Sequence, residues 1–558
     1  MIIVFLFFTF LSLISIIGYG AFFNKFILKN NQNLNLGLIG FLGLFLISSI
    51  SYLTHIFFPH NYFHNLIITI LGFTFFIYFF KKKKINVKKE NLFIFFLLII
   101  GIFIGKSHDD FPYYHLPNAL HFTENKLEFG LGNLNHGFKH HSSIFYLYST
   151  FYLPLIKYYI FNVLNFFFLI FAVFYFYENV DKDLKNNKFD NGSFIKVIFL
   201  ILLVSIFNRI GEYGTDKTGQ LLAAVLICMT IDVALKKNSN LDESKNIFLI
   251  LSLFIYLITI KTYFIIYLIF PVILVIFFKN KYLIIKEFIF SKLMFFLFSV
   301  GILFIILNIA ATGCIIYPVS KLCFPNYFYW GLKLETVNYL SNWYEIWSKA
   351  GAGPGFRESD PLIYIQGINW TENWINRYFF TKVSDFIFSI LFGLLITFLI
   401  FKKYFSNKLK LNKNLIIIFS VIIILFLVWF FKFPSLRYGG YILILSIFII
   451  TFSLLFNFIN CNSKEVKKKF MILLSFSILV FVSKNIIRLN KEFNYSAVDN
   501  FKSFPFFFVK KIKYKEQYIN GEKVFKVEGM CWATPAPCLR NINRKIKKKY
   551  NYRFYYNN

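Results

Sequence analysis

The sequence predicts an all-α polytopic membrane protein with about fourteen transmembrane helices, extracytoplasmic loops and a small C-terminal extracytoplasmic region. Hydrophobic residues make up 57% of the 558 residues and charged residues only 16%, which is not the composition of a soluble globular protein. Apolar runs long enough to cross a bilayer recur along the chain. Lysines gather in the short connections between these runs, as orientation signals do.

The apolar runs that predict the helices are spread over most of the chain. They lie near residues 1-23, 36-58, 62-80, 90-105, 158-177, 195-209, 218-235, 246-260, 263-278, 293-311, 383-401, 414-431, 437-459 and 470-484. The first run lacks a basic segment before it and a small-residue cleavage site after it, so we expect a retained helix.

Threading fourteen spans through the chain places six lysine-rich connections on one side, which we take as cytoplasmic. These connections are 81-90, 178-196, 236-245, 279-286, 402-413 and 462-469. The other connections then lie outside, including two long loops at 106-157 and 312-382. The formal charge of +33 is explained by orientation in the cytoplasmic (inner) membrane, so we expect contact with membrane lipid and no nucleic-acid partner.

This pattern divides the chain into three parts. Residues 1-89 carry three N-terminal transmembrane helices, and residues 90-484 form a transmembrane core with the two long outside loops. Residues 485-558 form an extracytoplasmic C-terminal region.

Four of the six cysteines form two close pairs on the predicted outer side. Cys314 and Cys323 share one loop, and Cys531 and Cys538 share the C-terminal region. Close pairs on an oxidising side are expected to form disulfides. The alternative is one zinc site made by all four, although neither pair has CxxC spacing.

The densest polar cluster of the chain, KSHDDFPYYHLP at 106-117, opens the first outside loop. Two adjacent carboxylates at a membrane surface repel one another and are costly without a partner or a task, although a solvated helix end is the simpler interpretation. The loop also holds six of the nine histidines: His108, His115, His121, His136, His140 and His141. His136 and His140 would share one face of a helix, which makes them weak candidates for a divalent metal.

The segments quoted next resemble those of a known enzyme family. An outside loop that opens with Asp109 and Asp110 and continues with Tyr and His is similar to the catalytic loop of GT-C fold membrane glycosyltransferases, which use polyprenyl-phosphate-linked sugars. KHHSSIFYLYSTFYLP at 139-154 resembles the amphipathic surface helix that those enzymes carry in this loop. FPSLRYGGY at 433-441 is similar to a Pro-x-x-Arg-Tyr segment near a late helix of that family.

The resemblance implies transfer of a sugar from a polyprenyl phosphate to an envelope glycan, lipid or protein on the outer face of the membrane. Asp109 or Asp110 would be the catalytic base, and direct attack would invert the anomeric carbon. Cations at the outer ends of other helices are candidates to hold the leaving phosphate. The candidate substrate-binding residues are His108, Tyr114, His115, Arg209, Lys217, Lys261 and Arg437.

Some of these charged residues also have a simpler, purely structural interpretation. Lys261 could extend its amine to the interface at a tight helical hairpin, and Glu212 and Asp216 could pair locally with Arg209 and Lys217.

Two other functions also fit a chain of this kind. An envelope polysaccharide polymerase or ligase would depend on outside arginines and histidines, whereas a lipid or solute transporter would carry charges near the bilayer midplane.

Overall fold

The computed structural model describes most of the chain. The described residues are 2-30, 34-103, 108-212, 214-235, 240-277, 281-353, 358, 360-406, 412-458, 463-494, 509-540 and 544-556. In these ranges the chain is predominantly helical, and its few strands are short.

Helices α1 to α10 occupy the first half of the chain. They are Ile2–Phe22, Leu36–Phe57, Tyr62–Lys81, Lys89–Leu98, Leu116–Glu124, Ser143–Thr150, Phe161–Lys185, Asn191–Ile206, Thr215–Leu235 and Asn240–Ile260. Helices α11 to α20 are Ile269–Phe277, Lys281–Ile289, Lys292–Thr312, Leu334–Lys349, Pro361–Tyr364, Thr371–Trp374, Ser384–Phe401, Lys413–Lys432, Gly440–Leu455 and Ser463–Phe493.

Nine helical segments in the described residues are long and apolar enough to cross a membrane. They are Ile2–Ile27, Leu36–Phe57, Tyr62–Lys81, Tyr158–Lys185, Thr215–Leu235, Lys292–Thr312, Thr371–Tyr404, Lys413–Lys432 and Lys464–Phe493. Four shorter apolar helices are Asn191–Ile206, Ser244–Ile260, Thr262–Phe277 and Gly440–Leu455. Each of these thirteen segments coincides with a predicted apolar run, so a multi-pass, all-α membrane protein is what the chain forms.

Three predicted segments differ in the structure. Up to residue 103, where the described part of the run 90-105 ends, the chain forms the ten-residue helix α4 and a 3₁₀ turn at Ile99–Ile102, where Gly101 packs against the ring of Phe481. The predicted connection 279-286 contains helix α12, whose exposed apolar side chains suit a helix at the membrane surface. The predicted surface helix in 139-154 is α6, and all eight of its residues are buried.

Glycines let the first three helices pack with their backbones in contact. A Cβ on Gly20 would lie 1.8 Å from the carbonyl oxygen of Ile39, and one on Gly18 would lie 2.0 Å from that of Gly72. Close approach at small residues is how helices associate where lipid replaces water. Helices α1, α2 and α3 therefore form one bundle, which joins the remaining helices through α2 and α7.

The connections between helices contact one another in two groups. One group holds the lysine-rich connections, and the other holds the connections predicted to lie on the opposite side of the membrane. In the lysine-rich group, the strand Phe405–Ser406 pairs with Asn457–Phe458, and Lys403 ion-pairs with Glu465. In the same group, the buried Lys196 ion-pairs with Asp183. The other group meets at the opposite ends of the helices and contains the predicted site.

The C-terminal region packs on the first of the two long loops. Its strands are Lys515–Ile519, Glu522–Lys526, Cys538–Leu539, Lys545–Lys549 and Tyr552–Tyr556. Phe129 exchanges backbone hydrogen bonds with Arg553 and Tyr555, and Trp532 N–H donates to the carbonyl of Pro112. Helix α20 continues to Phe493, past the predicted boundary at 484.

Two disulfides close short loops in the described residues. One joins Cys314 to Cys323 and the other joins Cys531 to Cys538. Both pairings are those predicted from the spacing, and each of these four cysteines therefore has a partner other than a zinc ion.

Candidate active site

Four charged side chains from four separate connections form one network. Arg437 Nη2 donates to Asp110 Oδ2 at 2.8 Å, and Arg437 Nε donates to Asp216 Oδ2 at 2.7 Å. Lys261 Nζ ion-pairs with Oδ1 of Asp216. The Asp216 side chain is 8% exposed, whereas those of Asp110 and Arg437 are 23% and 28% exposed. The network therefore has a buried end at Asp216 and an accessible end at Asp110.

Asp110 is positioned by the turn that follows it. It precedes a π-helical turn, Phe111–His115, that leads directly into α5. Pro112 fits the start of this turn because the first helical positions need no N–H donor. His108 holds the other side: its Nδ1 accepts from the Asp110 backbone N–H at 3.2 Å and lies 3.4 Å from Asp110 Oδ2.

Arg437 lies in a short 3₁₀ turn, Leu436–Tyr438, between α18 and α19. Side chains from other elements fix the backbone of this turn. Trp374 donates to the carbonyl of Pro434 at 2.7 Å, and Trp429 donates to the carbonyl of Ser435 at 2.9 Å. Gln220 donates to the carbonyl of Leu436 at 3.1 Å, and the hydroxyl of Tyr378 accepts from the N–H of Leu436 at 2.9 Å. Because Gln220 is four residues after Asp216, one face of α9 holds both the turn and its arginine.

Aromatic rings flank the two cations. The guanidinium carbon of Arg437 lies 5.5 Å from the ring centre of Trp347, and Lys261 Nζ lies 4.4 Å from that of Tyr438. Such contacts favour the charged form of each cation and restrict its direction.

The network sets the charge of its accessible members. Burial acts to raise the pKa of Asp110, but the nearby positive groups, first among them Arg437 with its charge and hydrogen bond, together outweigh it, so the pKa lies below its usual value. Burial lowers the pKa of Lys261, and the Asp216 carboxylate opposes that fall. Asp110 is therefore an ionised carboxylate at neutral pH.

A family model described as a domain of unknown function (DUF8201) matches residues 1–444. The chain belongs to this family. The matched range begins with the first three helices and includes all four members of the charged network. No curated protein and no solved structure matches the chain.

Two histidines of this DUF8201 protein lie beside the network and share one tyrosine. Tyr344 Oη lies 2.7 Å from His140 Nε2 and 3.1 Å from His136 Nε2. Only His136 belongs to the 3₁₀ turn His136–Lys139, so the shared helix face predicted for a metal does not form. Within the described ranges, no group of three or more His, Cys, Asp and Glu side chains could hold a metal ion.

His115 is buried behind Asp110. Its Nδ1 would lie 2.9 Å from a Cβ on Gly214, so only glycine leaves room for the ring there. Its Nε2 has no hydrogen-bond partner among the described residues. Burial lowers the pKa of His115 to about 4, so the ring is neutral at physiological pH.

The other predicted residues fall around this centre. The Tyr114 ring packs against Gly137, on the side of the loop that carries His136. Asp109 is exposed, and no ion pair joins it to another described residue. Arg209 is exposed in the turn before Ile210–Glu212, and Lys217 is half-buried in the first turn of α9.

Asp216 is the member whose role the sequence argument missed. It was considered only as a local partner for Arg209 or Lys217, but it pairs with Lys261 and Arg437. A carboxylate in the first turn of an apolar span is the signal that could have identified it, because such a group needs a cation nearby. Trp347 is likewise absent from the predicted site residues, although its ring faces Arg437.

This arrangement can do two kinds of chemistry at one place. An ionised carboxylate with accessible surface can accept a proton from a hydroxyl group. A guanidinium whose Nε and Nη2 bind carboxylates still has Nη1 for an anion.

Proposed function

We propose that this protein is a membrane glycosyltransferase that moves a sugar from a polyprenyl-phosphate donor to an envelope acceptor on the outer face of the membrane. The observation that carries the proposal is the direct contact between Asp110 and Arg437. It places a side chain that can accept a proton beside one that can bind phosphate. The same two residues lie in segments whose sequences resemble GT-C glycosyltransferases. An envelope glycan, a lipid and a protein are all acceptors that the proposal allows.

In the proposed reaction, Asp110 accepts the proton of an acceptor hydroxyl. The hydroxyl oxygen forms a bond to the anomeric carbon of the sugar as the bond from that carbon to the phosphate oxygen breaks. Both electrons of the broken bond leave with the polyprenyl phosphate. A phosphate leaving group needs little protonation, so one carboxylate is sufficient and no second acid is required.

Arg437 would bind the phosphate as its charge develops. Arginine is suited to this task because its donors lie in one plane and can bind two phosphate oxygens. Asp216 and Lys261 would position Arg437 from the buried side, and Trp347 would limit its motion. These three are positioning residues in the proposal, because they act on the substrate only through Arg437.

The place of the site suits a donor with a lipid tail. The network lies where α9 and α19 begin, next to helices whose outer surfaces expose many apolar side chains. The polyprenyl chain can therefore remain in the bilayer while the sugar phosphate reaches Asp110.

The proposal is tested by transfer of labelled sugar from a panel of polyprenyl-phosphate sugars in reconstituted membranes. Asp110→Asn should abolish transfer, by at least the hundredfold expected from loss of a general base, while the protein remains folded. Asp109→Asn tests the adjacent carboxylate, and Arg437→Lys tests planar phosphate binding. Asp360→Asn, at an exposed aspartate of the second outside loop, is the matched control and should keep wild-type activity.

The outcomes separate the proposed base from the proposed class of enzyme. If Asp109→Asn alone is inactive, the base is Asp109 and Asp110 only orients Arg437. If label never leaves any donor, or both asparagine variants transfer as the wild type does, the glycosyltransferase proposal is wrong. A polymerase or ligase would then show dependence on Arg437 and the neighbouring histidines without dependence on the aspartates.

A further inference from the structure

A polar cavity of about 610 Å³ lies at the other end of the helices, among the lysine-rich connections. Asp232 at its edge is sixteen residues after Asp216 on the same helix, so about 24 Å separates the cavity from the charged network. Cavities of about 300–1,000 Å³ are the size that binds small molecules.

The cavity has a buried floor and an exposed rim. Tyr175, Glu178, Leu38 and Leu249 are buried and form its floor. Its lining comes from the ends of α7 and α9, from the starts of α2 and α10 and from the segment before α4. Because several packed helices supply the walls, the cavity is a preformed part of the fold.

The carboxylates of the cavity are already paired. Glu178 accepts from the backbone N–H of Leu36 and from Asn91, and Asp181 ion-pairs with Lys88 and Lys185. Asp232 ion-pairs with Lys196, which lies behind the lining. Two of the three carboxylates are therefore neutralised by lysines, and Glu178 is held by neutral donors.

Two further cations of the lining are not neutralised in this way. Lys182 and Lys245 both line the cavity, and neither has an ion-pair partner among the described side chains. The lining carries four lysines against three carboxylates, and within the described ranges these two ammonium groups are the ones without a carboxylate partner, which favours an anion. Lysine binds phosphate groups as a point charge and does not require planar geometry.

The uncharged polar lining is made mostly of amides. Six asparagines line the cavity: Asn30, Asn35, Asn86, Asn179, Asn186 and Asn246. An asparagine amide can both donate to and accept from a hydroxyl group, which is the pattern that a polyhydroxy compound requires. Asn35 is already engaged, since its Oδ1 accepts from the N–H of Leu38 and its Nδ2 donates to the carbonyl of Tyr175.

We propose that this cavity binds a phosphorylated polyhydroxy compound, with Lys182 and Lys245 on the phosphate and the asparagines on the hydroxyl groups. Such a compound can be a free sugar phosphate or a phospholipid headgroup built on a sugar alcohol. The proposal does not depend on sugar transfer at Asp110, because the two places share no residue.

The test is calorimetric titration of the purified full-length protein with glucose 1-phosphate, inorganic phosphate and glucose. Glucose 1-phosphate should bind more tightly than either fragment. Lys182→Gln and Lys245→Gln should each weaken its binding about tenfold, the effect of losing one charged contact. Lys188→Gln is the matched control, since Lys188 is exposed on the same connection but does not line the cavity.

A second arm identifies the source of the ligand. Vesicles of phosphatidylcholine with and without phosphatidylinositol are titrated against the same variants. Binding that requires phosphatidylinositol and is lost in Lys182→Gln, with no response to glucose 1-phosphate, assigns the site to a lipid headgroup. Absence of binding in both arms, or equal binding by Lys182→Gln, Lys245→Gln and Lys188→Gln, overturns the proposal.

Discussion

Asp216 holds two cations at once and is the most buried member of the charged network. Its two oxygens bind Arg437 and Lys261, which come from connections far apart in the chain. Removing one partner from a buried ion pair is far more costly than removing both, because an uncompensated charge remains. Asp216 therefore determines whether the accessible Arg437–Asp110 pair can exist.

Asp216→Asn should lower the stability of the protein by about 3 kcal/mol, the cost of leaving a buried cation without its partner. The measurement is thermal unfolding of the purified protein in detergent. The double variant Asp216→Asn/Lys261→Met removes one cation with the carboxylate and should recover part of the loss. Equal melting temperatures for the wild type and Asp216→Asn would show that the pairing contributes nothing to stability.

His140 makes stability depend on pH. Burial lowers the pKa of His140 to about 3 in the folded protein, while an unfolded histidine titrates near 6.5. Below about pH 6.5 the unfolded state therefore binds protons that the folded state does not, and stability falls as the pH is lowered from about 7 to 4. His115 and His141 act in the same direction.

His140→Phe should reduce this dependence, which is measured as the melting temperature at pH 7 and at pH 5. Tyr344→Phe is the control because it removes the hydroxyl that His140 contacts and keeps the titrating ring. If both variants flatten the profile equally, the hydrogen bond rather than the titration of His140 is responsible.

At the scale of elements, the 3₁₀ turn Leu436–Tyr438 decides where Arg437 points. Gly439 ends the turn with φ of +91°, which is the left-handed region that other residues adopt at a cost. Its Cβ position is not crowded, since the nearest atoms would be 3.4 Å away. Backbone conformation alone therefore requires glycine at this position.

Gly439→Ala should cost about 1–2 kcal/mol and should reduce transfer activity more than stability, because it displaces Arg437 from Asp110 and Asp216. Melting temperature and sugar transfer are measured on the same preparation. Gly301→Ala is the control, since Gly301 lies in a regular helix with open space around it and alanine favours helix there. Full activity in Gly439→Ala would mean that the turn does not control Arg437.

The helices show how much of the fold could be predicted from the sequence. Spans were predictable because twenty apolar residues in a row have few alternatives to a membrane helix. Helix α6 was predicted as an amphipathic surface helix, but tertiary packing covers all its faces. Three of the four network members were predictable, because Asp110, Lys261 and Arg437 stood out locally. The contact between Asp110 and Arg437 was not, since it joins residues 327 apart and depends on how the helices pack.

At the scale of the whole molecule, the end of the chain buttresses the loop that carries Asp110. Glu128 is buried and binds His121, Arg553 and Tyr555, so the first outside loop and the last strand share one polar centre. Arg553 also pairs with Glu522 at 2.7 Å. A carboxylate this deeply buried requires its cation.

Arg553→Ala should therefore loosen the loop 106-157 as well as lower the stability, by about 3 kcal/mol, because the buried Glu128 loses its cation. Melting temperature reports the stability, and limited proteolysis of the reconstituted protein reports the loop. Lys549→Ala, at an exposed lysine of the adjacent strand, should change neither. If Arg553→Ala melts earlier but its loop resists protease as the wild type does, the C-terminal region stabilises only itself. If the loop is cleaved faster, the C-terminal region holds Asp110 in position from outside the membrane helices.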